Sequence, residues 1–250
     1  MNTDLSLKKS DLDTGFTGRK TGKLTFIKEK HFICIAAFIA ASLAACLSIM
    51  SGCANHSRFP IASKLSGWSY YLEDPEAKQE DTWWIEDGIL VCSGTPRGYL
   101  YTDDSFRDFT MTLKWRWPDE ESAGKGGILI DAVSEHKIWP KSLEAQINAN
   151  DAGDFWALDG YKVIGAISRT EKLTHEEYGE LIHINKIAPA ENLPGKWNTY
   201  KIIAKGTTVI LIINDQLVNR ATRVNASGGK ICITSEGTPI EFKDIKIVPE

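Results

Sequence analysis

The stretch Ser142-Leu-Glu-Ala-Gln-Ile-Asn-Ala-Asn-Asp-Ala-Gly-Asp-Phe-Trp156 decides how the rest of the chain is read. At period two, Leu143, Ala145 and Ile147 fall on one side of a strand, and Glu144, Gln146 and Asn148 on the other. The first row is apolar enough to sit on a core. The second is a ladder of one acid and two amides, spaced about 7 Å apart along the strand. The turn Asn150-Asp-Ala-Gly-Asp154 reverses the chain, and Phe155-Trp156 restarts it with two rings. Acids and amides beside an aromatic face are the groups that grip hydroxyls and stack on the apolar side of a pyranose. The same ladder also fits the solvent-facing side of an ordinary strand.

Outward from this stretch the chain continues in short, evenly punctuated β-rich runs. Residues 83–92 hold an Asp87-Gly88 hairpin signal. Residues 98–102 are short and aromatic. Residues 109–117 alternate cleanly, with Phe109, Met111, Leu113, Trp115 and Trp117 against Thr110, Thr112, Lys114 and Arg116, until Pro118 stops the run. Further strands are expected at 128–131, 162–167, 181–187, 197–204, 209–213, 230–234 and 240–248, with turns at Asn214-Asp215 and Gly228-Gly229. Helix signals are few: Thr174-His-Glu-Glu177 has capping-box form, but Gly179 follows within a turn or two. Ten to twelve short strands predict an all-β, two-sheet antiparallel jelly-roll sandwich.

The first part of the chain is an address. A basic segment holding Lys20, Lys23, Lys28 and Lys30 precedes an uncharged run from 32 to 50, and polar residues follow at once. This is the pattern of an export signal, with an uncleaved membrane anchor as the alternative reading. Cys46 and Cys53 compete as lipidation sites; Cys53, at the end of the apolar run, is favoured. The expected organisation is therefore a signal region at 1–53, a tether at 54–66 and the sandwich at 67–250, exported and lipid-anchored in the cell envelope. The signal region contains seven of the 29 Lys/Arg and four of the 33 Asp/Glu. The remainder, with 22 basic and 29 acidic residues, carries a net charge near −7, which argues against nucleic acid as a partner. Only Cys92 and Cys232 remain there; they read as two buried thiols or one bridge, not a disulfide framework.

The order Trp84-x-x-Asp-Gly88, Phe109-x5-Trp-Arg116, Gly127-Ile128, Leu143-Glu-x-Gln146, Gly153-Asp-Phe-Trp156, Gly195-x-Trp-Asn198, Gly206…Asn214, Ser235-Glu-Gly237 and Glu241-Phe242 resembles the 3-keto-disaccharide hydrolase domain family. The resemblance spans roughly residues 67–248. It implies a concanavalin A-like jelly roll, often borne on exported lipoproteins, and hydrolysis of glycosides oxidised to a ketone at carbon 3. The chain departs from the family pattern at Lys114-Trp-Arg116, Ile233-Thr234 and Phe242-Lys-Asp244, and keeps the central stretch.

Elementary chemistry fits such a substrate. An ordinary glycosidase flanks the scissile bond with two carboxyl groups, whereas the Glu144-x-Gln146 ladder offers one. A ketone at carbon 3 acidifies the proton on carbon 2, so one base can remove it, the enolate can expel the group on carbon 1, and water can add back. Glu144 is the candidate base, with His183 and Glu236 as further catalytic candidates. Gln146, Arg116 or His183 are candidate donors to the enolate oxygen, Asn148 and Asp154 candidate substrate contacts, and Trp156 the stacking platform. Competing readings stay open: Arg116 as a salt-bridged face, and Asp154 as a cap on its own turn or a calcium ligand. No other cofactor is expected, and the ligand expected is an oligosaccharide or keto-sugar. The alternative function is a non-catalytic carbohydrate-binding module. Mass spectrometry of the mature protein tests the address: a lipid on an N-terminal Cys53 is expected, and an intact Met1 without lipid on either cysteine would refute it.

Overall fold

The computed structural model describes residues 65–224 and 226–250; the segment read as an export signal, with Cys46 and Cys53, and the expected tether as far as residue 64 lie outside them. In chain order the strands are β1 (Trp68–Leu72), β2 (Trp83–Glu86), β3 (Ile89–Cys92), β4 (Gly98–Thr102), β5 (Phe109–Arg116), β6 (Gly127–Ala132), β7 (Ser142–Gln146) and β8 (Phe155–Leu158). There follow β9 (Val163–Ile164), β10 (Thr170–His175), β11 (Gly179–Ile184), β12 (Asn198–Lys205), β13 (Thr208–Ile213), β14 (Gln216–Arg223), β15 (Lys230–Ser235) and β16 (Ile240–Pro249). A single helical turn, α1 (Gln79–Thr82), and a 3-10 turn at Ile167–Arg169 complete the described residues.

These strands form two eight-stranded antiparallel sheets, ordered β1-β4-β15-β6-β7-β8-β11-β10 and β2-β3-β16-β5-β12-β13-β14-β9. Alternation decides which side of each strand meets the core. On β5, Phe109, Met111, Leu113 and Trp115 are buried while the threonines, Lys114 and Arg116 between them are half-exposed. They interleave with Leu143, Ala145, Phe155, Ile231 and Ile233 from the other sheet in one continuous core. Asp87-Gly88 and Asn214-Asp215 adopt positive φ at both turn positions, the geometry of tight hairpins that match strand twist. Cys92 and Cys232 are both buried and unbridged, one in each sheet.

Three expectations change. The run 162–167 forms only the two-residue β9 before the 3-10 turn. Thr174 and His175 end β10, and residues 176–178 make a hairpin turn into β11. The turn closes because His175 Nδ1 accepts the backbone N–H groups of Glu177 and Tyr178, at 3.1 and 3.3 Å. Gly179 then supplies φ +72. The described residues also hold sixteen strands rather than ten to twelve, β1, β10 and β14 among them having had no strand signal strong enough to mark them.

One ionic contact fastens the two sheets. Arg223 of β14 is wholly buried, and its Nη1 donates to both carboxylate oxygens of Asp131 on β6 at 3.0 Å. Tyr161 donates its hydroxyl to Asp131 Oδ2 at 2.5 Å, and Arg223 Nη2 donates to the carbonyl of Gly206, also at 2.5 Å. Removing one partner of a buried pair strands the other charge without water. Arg223→Met is therefore expected to lower unfolding free energy by about 3–5 kcal/mol in urea titrations; a loss below about 1 kcal/mol would contradict this role.

Candidate active site

β7 lies in the interior of its sheet, between β6 and β8, and all five of its residues are buried. Leu143 and Ala145 belong to the core between the sheets. Glu144 and Gln146 therefore point to the sheet's outer face, and their burial there has a separate cause. Tyr99, Leu129, Leu158, Leu181 and Cys232 form a second apolar cluster on that face, with Trp139 and Tyr178 packed on it from the connecting loops. Trp139 and Tyr178 meet edge to face, with centroids 6.2 Å apart.

Between these groups lies a cavity of about 260 Å³. Glu144, Gln146 and Asn148 line it, as do Trp156, Leu158, Leu181, Trp139, Tyr178, Arg97, Lys125 and Glu236. Across β6, β7, β8 and β11 the residues Leu129, Glu144, Trp156 and His183 stand directly opposite one another in a row. Glu144 also folds over Gly127: a Cβ there would sit 2.8 Å from its Cγ and 2.9 Å from its carboxyl carbon. The absence of a side chain at 127 is what admits the glutamate.

The charged rim is assembled from three loops that bind one another. Gly237 donates its N–H to the Gly94 carbonyl at 2.7 Å. Thr238 Oγ1 accepts the Lys125 N–H at 3.0 Å and donates to its carbonyl at 3.3 Å. Gly124 lies against the Thr238 side chain, leaving no room for a Cβ. Glu236, Lys125 and Arg97 are thereby brought to one cavity. Arg97 is held by two bonds to Glu73, at 2.7 and 2.9 Å, whereas Lys125 Nζ has no side-chain partner among the described residues.

The electrostatics of the two glutamates differ. Burial, with the charge of Glu236 adding to it, holds the Glu144 carboxyl well above the usual carboxylate range. No hydrogen bond or ion pair from the described residues reaches the Glu144 carboxyl group. Burial also pushes Glu236 up, to about 7, opposed by the Thr234 hydroxyl and the Lys125 charge. Its Oε1 is buried without a hydrogen-bond partner. Gln146 Oε1 accepts from Trp156 Nε1 at 3.2 Å, so the amide's two N–H bonds remain available to a ligand. Asn148 Oδ1 accepts the Gly126 N–H at 3.0 Å.

The structure thus brings together Glu144, Gln146, Asn148, Trp156 and Glu236 from the residues picked by sequence. The expectation of a single carboxylate is corrected, because Glu236 arrives from the loop after β15, beyond the reach of any one-strand pattern. Arg116 is not in the site. β5 belongs to the other sheet, and Arg116 faces outward there, 2.5 Å from Glu241 and 4.6 Å above the Trp197 ring. His183 is not a cavity residue either. Its ring stacks on Trp156 at 4.2 Å, and its Nε2 is 2.7 Å from Asp154 Oδ2. Asp154, also picked as a substrate contact, is 2% exposed, and its other oxygen accepts the Lys186 N–H at 2.8 Å. Burial favours the protonated acid here, but the bonds from His183 and Lys186 outweigh it and lower the Asp154 pKa. Lys186 Nζ lies 3.6 Å from the same carboxylate. Asp154 and His183 instead hold the Trp156 ring, His183 by stacking on it and Asp154 through its bond to His183.

Sequence reasoning missed Arg97, Lys125, Trp139 and Tyr178. All four sit on loops or at strand starts, where no periodicity marks them; only the glycines at 94 and 124 hint at close loop packing.

Two eight-stranded sheets over one core, with a polar and aromatic cavity on an outer face, make this a concanavalin A-like jelly roll. The chain belongs to the family of 3-keto-alpha-glucoside-1,2-lyase-like domains, whose model matches residues 62–248. A candidate glycosyl hydrolase from Parabacteroides distasonis ATCC 8503 is similar in fold, with 18% identity and a TM-score of 0.53 over 77% of this chain and 98% of its own. The carbohydrate-binding module CBM66 from Bacillus subtilis is 16% identical, with a TM-score of 0.54 over 76% of this chain and 99% of its own. No curated protein sequence matches the chain.

Gly127→Ala tests the cavity's construction. It is expected to displace the Glu144 side chain and abolish ligand-dependent stabilisation while the sandwich still folds; a crystal structure with Glu144 unmoved would contradict this.

Proposed function

We propose that this domain cleaves 3-keto-glycosides. A carboxylate removes the proton on carbon 2, the resulting enolate expels the group on carbon 1, and addition of water completes hydrolysis. The observation that carries this reading is that Glu144, buried, and Glu236, half-buried with its Oε1 shut from solvent, line one cavity with Trp156. Two acids crowded away from water resist ionising together, and such perturbed pairs are characteristic of acid–base sites. The family match supports the same chemistry, since its description names a lyase acting on a 3-keto-α-glucoside. In this cavity Trp156 stacks on the sugar, and Gln146 and Lys125 supply donors to the enolate oxygen. An exported, lipid-anchored protein, as the sequence suggests, would meet such substrates in the cell envelope.

The likeness to a carbohydrate-binding module favours a second reading, sugar binding without turnover. Simple recognition, however, gives no reason to bury Glu144 and one oxygen of Glu236 in the same cavity, because hydroxyls are held as well by amides or by solvated acids. Incubating the purified protein with 3-keto-trehalose and, in parallel, with trehalose separates the two. Release of free glucose from the keto-sugar alone is expected. Binding of both sugars without cleavage of either would establish the binding module instead.

A further inference from the structure

The two glutamates of the cavity sit in unlike surroundings, and the difference is built into the fold. Glu236 shares its rim with a cation. Its loop is tied to the Lys125 loop through the two bonds between Thr238 Oγ1 and the Lys125 backbone, and Lys125 Nζ is otherwise uncommitted among the described residues. Glu144 sits mid-sheet between Leu129 and Trp156, above a glycine, with no donor and no cation reaching it. An ammonium neighbour favours the charged form of a carboxyl group; burial with no donor bonded to the carboxyl favours the neutral one. We infer that Glu236 is the base of the elimination, in place of Glu144, the candidate base read from sequence, and that Glu144 is its proton donor. This assignment rests on the proposed 3-keto-glycoside chemistry.

The step balances within the pair. The Glu236 carboxylate takes the proton from carbon 2, and the C–H electron pair moves into an enolate whose charge lies on the oxygen at carbon 3. Re-formation of the carbonyl places a double bond between carbons 1 and 2, and the C1–O bonding pair leaves with the oxygen. That oxygen takes the proton held by Glu144. The pair ends with Glu236 protonated and Glu144 ionised, its total charge unchanged. When water adds to carbon 1, Glu144 accepts a proton from it and Glu236 returns its own to carbon 2, restoring the starting state.

Leaving-group dependence separates the roles. Wild type, Glu144→Gln and Glu236→Gln would be assayed on a 3-keto-glucoside with an alkoxide leaving group and on the 4-nitrophenyl 3-keto-glucoside, whose phenoxide departs without needing a proton. Glu236→Gln is expected to lose about 10²–10⁴-fold in kcat on both substrates. Glu144→Gln should lose a comparable factor on the alkoxide substrate and at least tenfold less on the nitrophenyl one. The opposite pattern, or equal losses for both variants on both substrates, would overturn the assignment. A wild-type protein that cleaves neither substrate would instead overturn the 3-keto-glycoside reading on which it rests. Glu144→Asp and Glu236→Asp, which keep the carboxyl group but shorten its reach, guard against a folding defect: each should fall between wild type and the amide variant, whereas variants as inactive as the amides on both substrates would count against a proton-transfer role.

Discussion

A carboxyl group with no charged partner, placed in the middle of a sheet, is the constraint around which this domain is arranged. Glu144 could not be held there on an open sheet face, where water would reach it and remove any reason for unusual acidity. Its setting needs a glycine at 127 to give it room, Leu129 and Trp156 to flank it, and Trp139 and Tyr178 to roof the face. Each of these is otherwise an ordinary element of a β-sandwich. Taken together they convert the outer side of one strand into a small chamber with both apolar and polar walls. Ionising a group there costs free energy that water would normally supply.

The fold itself does not separate catalysis from recognition, because similar sandwiches serve a binding module and a candidate hydrolase. The reading proposed here turns on charge. A lectin-like site can keep its acids solvated and hydrogen-bonded, whereas here one carboxyl oxygen of Glu236 is buried with no hydrogen-bond partner among the described residues. Such an atom is a standing cost in the ligand-free protein. It is removed when a ligand hydroxyl, or a proton in transit, comes to meet it.

Much of this was legible in the sequence, and the reason is local. Period-two alternation put Glu144 and Gln146 opposite Leu143 and Ala145, and the same logic placed Trp115 in the core and Arg116 outside it. Alternation says which side of a strand a residue takes. It does not say which sheet the strand joins, and Arg116 was misplaced for that reason. The partnership of Glu144 with Glu236 spans 92 positions and three adjacent strands, β15, β6 and β7, so it depends on pairing order that no local pattern encodes. β10 failed differently. Its sequence Thr-Glu-Lys-Leu-Thr-His is polar on both faces because it is an edge strand with five exposed residues. The alternation that marks a half-buried strand is then absent, and a helix-like cap signal filled the gap.

The fastening of Asp131 to Arg223 has a bearing on how the molecule comes apart. A sandwich whose layers touch only through apolar side chains can let one layer loosen while the other persists. Here the guanidinium belongs to one sheet and its carboxylate to the other, and both are shut away from solvent. Parting the layers even slightly would expose neither group to enough water to repay the lost contact, so intermediate separations are disfavoured relative to the closed and fully opened states. The two sheets are thereby coupled into one cooperative unit. β6, which carries Asp131 at one end and Gly127 at the other, extends that rigidity to the floor beneath Glu144.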